Sequence, residues 1–132
     1  MSLLFISSFF TTLLFFLSGL YKIKDFKQVT KGFVTKTNLP LTFAQIVIVC
    51  VILLEIIAPL IITLYSYNLN TNLFFYTKLS IIGLIIFTIL ATLIYHFPPV
   101  SSNYYPFMSN LSTIGGLCLL YIIIKDRVFR QL

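Results

Sequence analysis

The sequence predicts an all-α membrane protein: a bundle of four transmembrane helices with an amphipathic, basic interfacial segment after the first helix. Hydrophobic residues make up 59% of the 132 residues and charged residues only 9%, whereas a soluble domain carries about a quarter charged residues. Four apolar stretches each have the roughly 20 residues that a helix needs to cross a bilayer. They lie at about 3–21, 41–65, 74–95 and 107–124, within a single membrane domain that spans residues 1–132.

The first helix, about 3–21, contains no charged residue and is predicted to pack closely on a neighbour. Its small and hydroxylated side chains fall at Ser7, Thr11 and Ser18 and, one position along, at Ser8, Thr12 and Gly19. This spacing places them on one face of a helix. Such residues let membrane helices approach closely, although the same face could instead line a polar cavity. Because no basic region precedes the helix, we expect a retained membrane helix and not a cleaved signal peptide.

The segment that follows, about 22–36, is the most charged part of the chain. Its hydrophobic residues recur at nearly helical spacing between lysines, which is typical of an amphipathic helix in the headgroup layer. Gly32 and the Asn38–Leu39–Pro40 stretch are predicted to end it. Basic residues gathered at helix ends suit lipid headgroups better than nucleic acid. The expected headgroup contacts are Lys22, Lys24, Lys27, Lys31, Lys36, Lys125, Arg127 and Arg130.

The connections between the remaining helices indicate how they are arranged. A short asparagine-rich turn after the second helix predicts that the helices at 41–65 and 74–95 are antiparallel neighbours. Gly115 and Gly116 predict close approach of the fourth helix to another helix. Four spans place both termini on the same side of the membrane. Five basic residues in the first loop against four on the opposite side leave the orientation open under the positive-inside rule.

Glu55 is the one carboxylate inside the four apolar stretches, and with Lys78 it forms the candidate polar centre. Pro59 has no N–H to donate to the Glu55 carbonyl. Residue 55 therefore carries both a carboxylate side chain and a backbone carbonyl without its helical hydrogen bond. Intramembrane acids are costly and usually face a partner inside the bundle. A Glu55–Lys78 ion pair that sets the helix register is one interpretation. A proton-accepting or ligand-orienting carboxylate is the second, and a protonated Glu55 bonded to a hydroxyl is the third.

His96, the only histidine, ends the third helix. The first helix ends at the same predicted level with Tyr21, Lys22 and Asp25. An imidazole beside an acid and a phenol at a membrane interface can bind a quinone carbonyl or relay a proton. A capping or anchoring role is the structural alternative. One histidine without companion ligands predicts no metal site and no bis-histidine haem.

The chain contains no recognisable catalytic motif. It has no nucleophile with a base, no glycine-rich phosphate loop and no paired catalytic carboxylates. Cys50 and Cys118, the only cysteines, fall at similar predicted depths in helices that run in the same direction. Buried cysteines that act as small hydrophobes are the default expectation, and a redox pair is the alternative.

Several short motifs follow one another along the chain: Ser18-Gly19-Leu20-Tyr21-Lys22-Ile23 with Asp25-Phe26, then Glu55, Lys78, His96, and Asn110 before Gly115-Gly116-Leu117. This order resembles the DoxX family of small four-helix membrane proteins. The chain departs from the family in its second helix, where Ala58-Pro59 stands in place of small residues. By position, the resemblance assigns the family's polar positions to Lys22, Asp25, Glu55, Lys78, His96 and Asn110.

The resemblance implies an integral membrane accessory subunit of a quinone-linked redox complex. Glu55 and His96 would orient the quinone headgroup or its proton, and other membrane protein subunits would hold the electron carriers. The candidate interfacial ligand site then consists of His96, Tyr21, Lys22, Asp25 and Asn110. The first alternative is a non-catalytic structural or assembly subunit of a larger respiratory, organellar or viral membrane complex. A small proton or solute conduit through Glu55 is the second. We do not expect the chain to be an enzyme on its own, since it lacks a cofactor ligand set.

Overall fold

The computed structural model describes residues 3–68 and 71–129. Four of its helices are long and apolar enough to cross a membrane, and the prediction of an all-α membrane protein is confirmed. The headgroup contact predicted for Arg130 lies outside the described residues. The elements are α1 (Leu3–Lys24), α2 (Phe26–Thr37), α3 (Leu41–Asn68), a short 3-10 turn (Thr71–Leu73), α4 (Phe74–Tyr95) and α5 (Tyr104–Phe129).

Three of the spanning helices are longer than the apolar stretches that predict them. α1 continues to Lys24 and α3 to Asn68, because polar residues at a membrane boundary are compatible with a helix even though they end the apolar run. α5 begins at Tyr104 and not near 107. Pro106 therefore falls in the first turn, where a helix has no internal partner for its N–H groups.

α2 packs its apolar face against the bundle, and the segment is thus amphipathic as predicted. Thr30 and Phe33 are its buried residues. α2 ends at Thr37 and is capped by Asn38, whose φ of 55° is left-handed and whose N–H donates to the Val34 carbonyl. Asparagine tolerates this conformation well. Gly32 lies inside the helix, so the prediction that it helps to end the segment is wrong. Phe33 belongs to a hydrophobic cluster with three buried residues of α3: Ala44, Ile48 and Ile52.

α3 is the central helix of the bundle. It packs against α1 on one side and against α4 on the other, and α4 packs in turn against α5. The end of the bundle at which α1 and α4 finish and α3 and α5 begin is called the α2 end below. The larger hydrophobic core lies away from it and contains Leu4, Phe15, Ala58, Ile62, Tyr65, Ile81, Leu84, Leu117, Leu120 and Ile124.

The small-residue face of α1 forms the seam with α3. Ser8, Thr12 and Gly19 are buried, and the hydroxyl oxygens of Ser8 and Ser66 lie 2.7 Å apart across the two helices. The Thr12 hydroxyl donates to the Ser8 carbonyl at 2.8 Å. Direct contact between hydroxyls of facing helices makes this face a packing seam, as predicted. Thr12 also borders an apolar pocket between α1 and α3, together with Pro59 and Thr63.

Two predictions about α5 and the cysteines are wrong. A Cβ added at Gly115 would have no heavy atom within 4 Å, and one at Gly116 would make only an ordinary 3.8 Å contact with Thr11. Close helix approach therefore does not occur at these glycines. Cys50 and Cys118 are free and exposed, so they form neither a redox pair nor part of the core.

Candidate functional site

A buried ion pair joins α1 to the midpoint of α3. The Lys22 ammonium Nζ lies 2.9 Å from Oε1 and 2.7 Å from Oε2 of Glu55, and it also donates to the Ser18 hydroxyl. The Glu55 side chain is 2% exposed and the Lys22 side chain 17%. Because an ammonium has three N–H donors, every donor of Lys22 has an acceptor within the protein.

The predicted pairing of Glu55 with Lys78 is wrong, since Lys22 takes that place. The reason is that helical side chains lean towards the N-terminus of their own helix. Lys22 lies near the C-terminal end of α1 and leans back into the bundle. Lys78 lies near the N-terminal end of α4 and leans outward. Its Nζ lies 5.6 Å from the centre of the Phe74 ring and 5.9 Å from that of Tyr121.

The environment of Lys22 corrects two further predictions about it. Its ammonium is bound to Glu55 and Ser18, so it is not a lipid headgroup contact, and it belongs to the polar centre instead of the interfacial site. The Nζ atom also lies 5.8 Å from the centre of the Phe87 ring on α4. A cation near an aromatic face is stabilised by the ring quadrupole, so α4 helps to hold the ammonium in place.

Gly19 allows α1 to lie directly on α3 beside this ion pair. A Cβ at position 19 would be 2.9 Å from Cγ1 of Ile56 and 3.1 Å from Cβ of Glu55. One turn before Lys22, the two backbones are therefore as close as a residue without a side chain permits. Pro59, also buried, follows inside α3 and offers no N–H to the Glu55 carbonyl. Glu55, the close contact of α1 with α3 at Gly19, and the missing helical hydrogen bond at the Glu55 carbonyl therefore lie at the same place in the bundle.

A second polar group lies at the α2 end of the bundle, between α4 and α5. The Asn110 amide nitrogen donates to the Thr92 hydroxyl at 2.9 Å, and the backbone N–H of His96 donates to the Thr92 carbonyl at 2.9 Å. The Thr92 hydroxyl donates in turn to the Thr88 carbonyl at 2.6 Å. In the part of the chain that the structure describes, Nδ1 of His96 is the one buried side-chain nitrogen or oxygen without a hydrogen-bond partner.

The structure brings together only part of the predicted interfacial site. Asn110 bonds to the Thr92 hydroxyl, and His96 follows Thr92 by one helical turn through a backbone hydrogen bond. The sequence reasoning missed Thr92; the spacing of Thr88 and Thr92 in an apolar helix is the signal that could have found it. The Tyr21 side chain is 57% exposed and points away from the bundle. Asp25 lies half-buried in the break between α1 and α2 and makes no side-chain capping bond.

Thr92→Val should weaken the packing of α4 on α5, because it keeps the shape of the side chain and removes the acceptor of the Asn110 amide. Interhelical hydrogen bonds in membrane proteins average about 0.6 kcal/mol. We expect a decrease of about this size in the free energy of unfolding, measured by denaturant titration in bicelles. Thr113→Val is the matched control, since the Thr113 hydroxyl bonds to the Ser109 carbonyl within its own helix. Equal losses in both variants would contradict an interhelical contribution.

Within residues 3–68 and 71–129, no group of three His, Cys, Asp or Glu side chains could hold a metal ion. The polar groups described above lie at two places: the closed Lys22–Glu55 pair in the middle of the bundle, and the Asn110–Thr92 hydrogen bond at its α2 end, one turn before His96.

A comparison with known protein families finds a match over most of the chain. A family model described as DoxX matches residues 3–97, and the resemblance seen in the sequence is confirmed over these residues. The matched part contains Ser18, Lys22, Glu55 and His96 but ends before Asn110 and α5. No curated protein and no solved structure matches the chain.

Proposed function

The chain belongs to the DoxX family, and from this we propose that it is an accessory subunit of a membrane redox complex linked to quinone. Its four apolar helices make it a multi-pass integral membrane protein. The link to redox chemistry comes from the family resemblance. The proposal places the quinone headgroup at the α2 end of the bundle and assigns the electron carriers to partner subunits.

The free Nδ1 atom of His96 is the observation that carries the proposal. It is buried and has no hydrogen-bond partner among the described residues, and a neutral imidazole can donate one N–H to a carbonyl oxygen. Asn110 uses one amide hydrogen for Thr92 and retains a second. Each of these groups can donate a hydrogen bond to a quinone carbonyl at this helix end, with the isoprenoid tail of the quinone in the lipid. When bound, a quinone would carry electrons between the complex and the membrane.

Glu55 has no part in this proposed quinone site. Both of its carboxylate oxygens accept hydrogen bonds from Lys22, so the hydrogen bonds of Glu55 are made within the ion pair. This observation favours a second candidate function, a non-catalytic structural or assembly subunit whose ion pair holds α1 against α3. The two candidates differ in whether quinone accompanies the protein and depends on His96.

The experiment that tests the proposal is purification of the tagged chain from its native membranes in a mild detergent. A native gel with mass spectrometry identifies the partners, and chromatography of the extracted lipid measures quinone per protein. We expect redox subunits in the band, together with quinone. His96→Leu should lower the quinone content by up to about ten-fold, because one hydrogen bond contributes up to about 1.5 kcal/mol. Tyr105→Phe, at an exposed side chain of the same helix end, is the control and should leave it unchanged.

Each outcome has a definite meaning for the two candidates. Redox partners and unchanged quinone in His96→Leu would remove the quinone site and leave the accessory role. A large assembly without redox subunits would establish the structural candidate in its place. Circular dichroism of both variants verifies that the helices remain folded, so that a lower quinone content reports the site.

A further inference from the structure

We propose that the lysines around α2 form a binding surface for anionic phospholipid headgroups. This cationic surface consists of Lys24, at the end of α1, with Lys27, Lys31 and Lys36 of α2, and all four residues are exposed. The proposal does not depend on the redox association of the protein, because it rests on the placement and charge of α2 alone.

Packing of α2 on the bundle determines where these lysines point. Thr30 is 2% exposed and Phe33 is 8% exposed, and Phe33 packs against the first turns of α3. The apolar face of α2 is therefore covered by the protein itself, and its lysine face is turned away from the bundle. α2 also connects the end of one membrane-spanning helix to the start of the next, which places the helix at the level of the headgroups.

The charge on this surface is not balanced by ion pairs among the described residues. The chain has three acidic residues: Glu55 is paired with Lys22, Asp126 lies in the last turns of α5, and only Asp25 is near α2. None of the four lysines makes an ion pair within residues 3–68 and 71–129. Lys27 and Lys31 are four residues apart on one side of the helix, where like charges repel. An anion bound between them removes this repulsion.

The neighbouring apolar residues favour a lipid over an acidic protein as the occupant. Ile23 is 54% exposed, and Leu41 and Phe43, at the start of α3, are 58% and 52% exposed. Exposed apolar side chains thus flank the lysines on both sides along the chain, which suits the headgroup and tail of one phospholipid. An acidic protein segment would satisfy the lysines but would leave these side chains without apolar partners.

The test compares spin-labelled phosphatidylglycerol with spin-labelled phosphatidylcholine on the full chain reconstituted in phosphatidylcholine bilayers. Electron paramagnetic resonance gives the relative association constant of the two lipids. We expect the wild type to prefer the anionic lipid several-fold, and Lys27→Gln/Lys31→Gln to lose most of that preference, since each surface lysine contributes up to about five-fold. Lys27→Arg/Lys31→Arg keeps both charges and should keep the preference. Because both side chains are exposed, the substitutions leave the packing of α2 intact.

The salt dependence gives a second readout, because attraction between exposed charges and headgroups is screened over a Debye length of about 10 Å at 0.1 M salt. The wild-type preference should therefore fall as salt is added. An unchanged preference in the glutamine variant would overturn the proposal. If that variant also released a protein partner from native membranes, the surface would be assigned to an acidic protein instead.

Discussion

Glu55→Ala is expected to destabilise the bundle by about 3 kcal/mol, through the loss of the one partner that neutralises Lys22 among the described residues. Removing one member of a buried ion pair costs about 3–5 kcal/mol because the other charge remains buried without compensation. The 17% exposure of the Lys22 side chain gives its ammonium some access to solvent, and this places the expected loss at the lower end of the range. Unfolding by denaturant titration in bicelles measures it.

Replacing both charges should restore most of that stability. Lys22→Met/Glu55→Leu removes the cation and the anion together and fills the space with apolar groups of similar length. Such replacements of a buried pair are often neutral or stabilising, so we expect the double variant to lie within about 1 kcal/mol of the wild type. A double-mutant cycle that adds Lys22→Met alone and Glu55→Leu alone then gives the coupling between Lys22 and Glu55.

The matched control for this cycle is Lys78→Met. Lys78 contacts the Phe74 and Tyr121 rings and not Glu55, so adding Lys78→Met to Glu55→Ala should not recover stability. Recovery by Lys78→Met, with none by Lys22→Met, would refute the observed pairing. The same variants also bear on function: if Lys22→Met/Glu55→Leu keeps its native partners and its quinone, the ion pair acts only to hold α1 on α3.

Gly19→Ala is expected to cost about 2 kcal/mol, the second-largest effect. The added Cβ would lie 3.1 Å from Cβ of Glu55, an atom fixed to the α3 backbone, so the helices must separate. Overpacking of this kind typically costs about 1–3 kcal/mol. The separation also moves Lys22 away from Glu55. The loss should therefore be smaller when Gly19→Ala is made in the Lys22→Met/Glu55→Leu background.

Gly115→Ala is the control for the glycine substitution. A Cβ at position 115 has no heavy atom within 4 Å, and alanine is favoured over glycine in a helix by up to about 1 kcal/mol. We expect unchanged or slightly raised stability in this variant. Equal stability of Gly19→Ala and the wild type would show that α1 and α3 do not approach as closely as the structure indicates.

The sequence by itself determined the membrane architecture of this protein. The number of spans follows from comparing the length of each apolar run with the thickness of a bilayer, and this comparison needs no knowledge of how helices pack. The amphipathic character of α2 and the packing face of α1 follow from spacing along one helix. Glu55 and His96 were found because a polar residue within an apolar stretch can be recognised from the sequence alone.

Only the tertiary structure decided which polar groups meet. Counting residues placed Lys78 within reach of Glu55, but the rise per residue ignores the lean of each side chain along its helix. That lean carries Lys22 inward and Lys78 outward. The packing of α4 on α5 likewise brings Asn110 to Thr92, and Nδ1 of His96 has no hydrogen-bond partner among the described residues. Rotation of a helix about its axis sets such contacts, and in apolar helices the identity of the residues constrains that rotation only weakly.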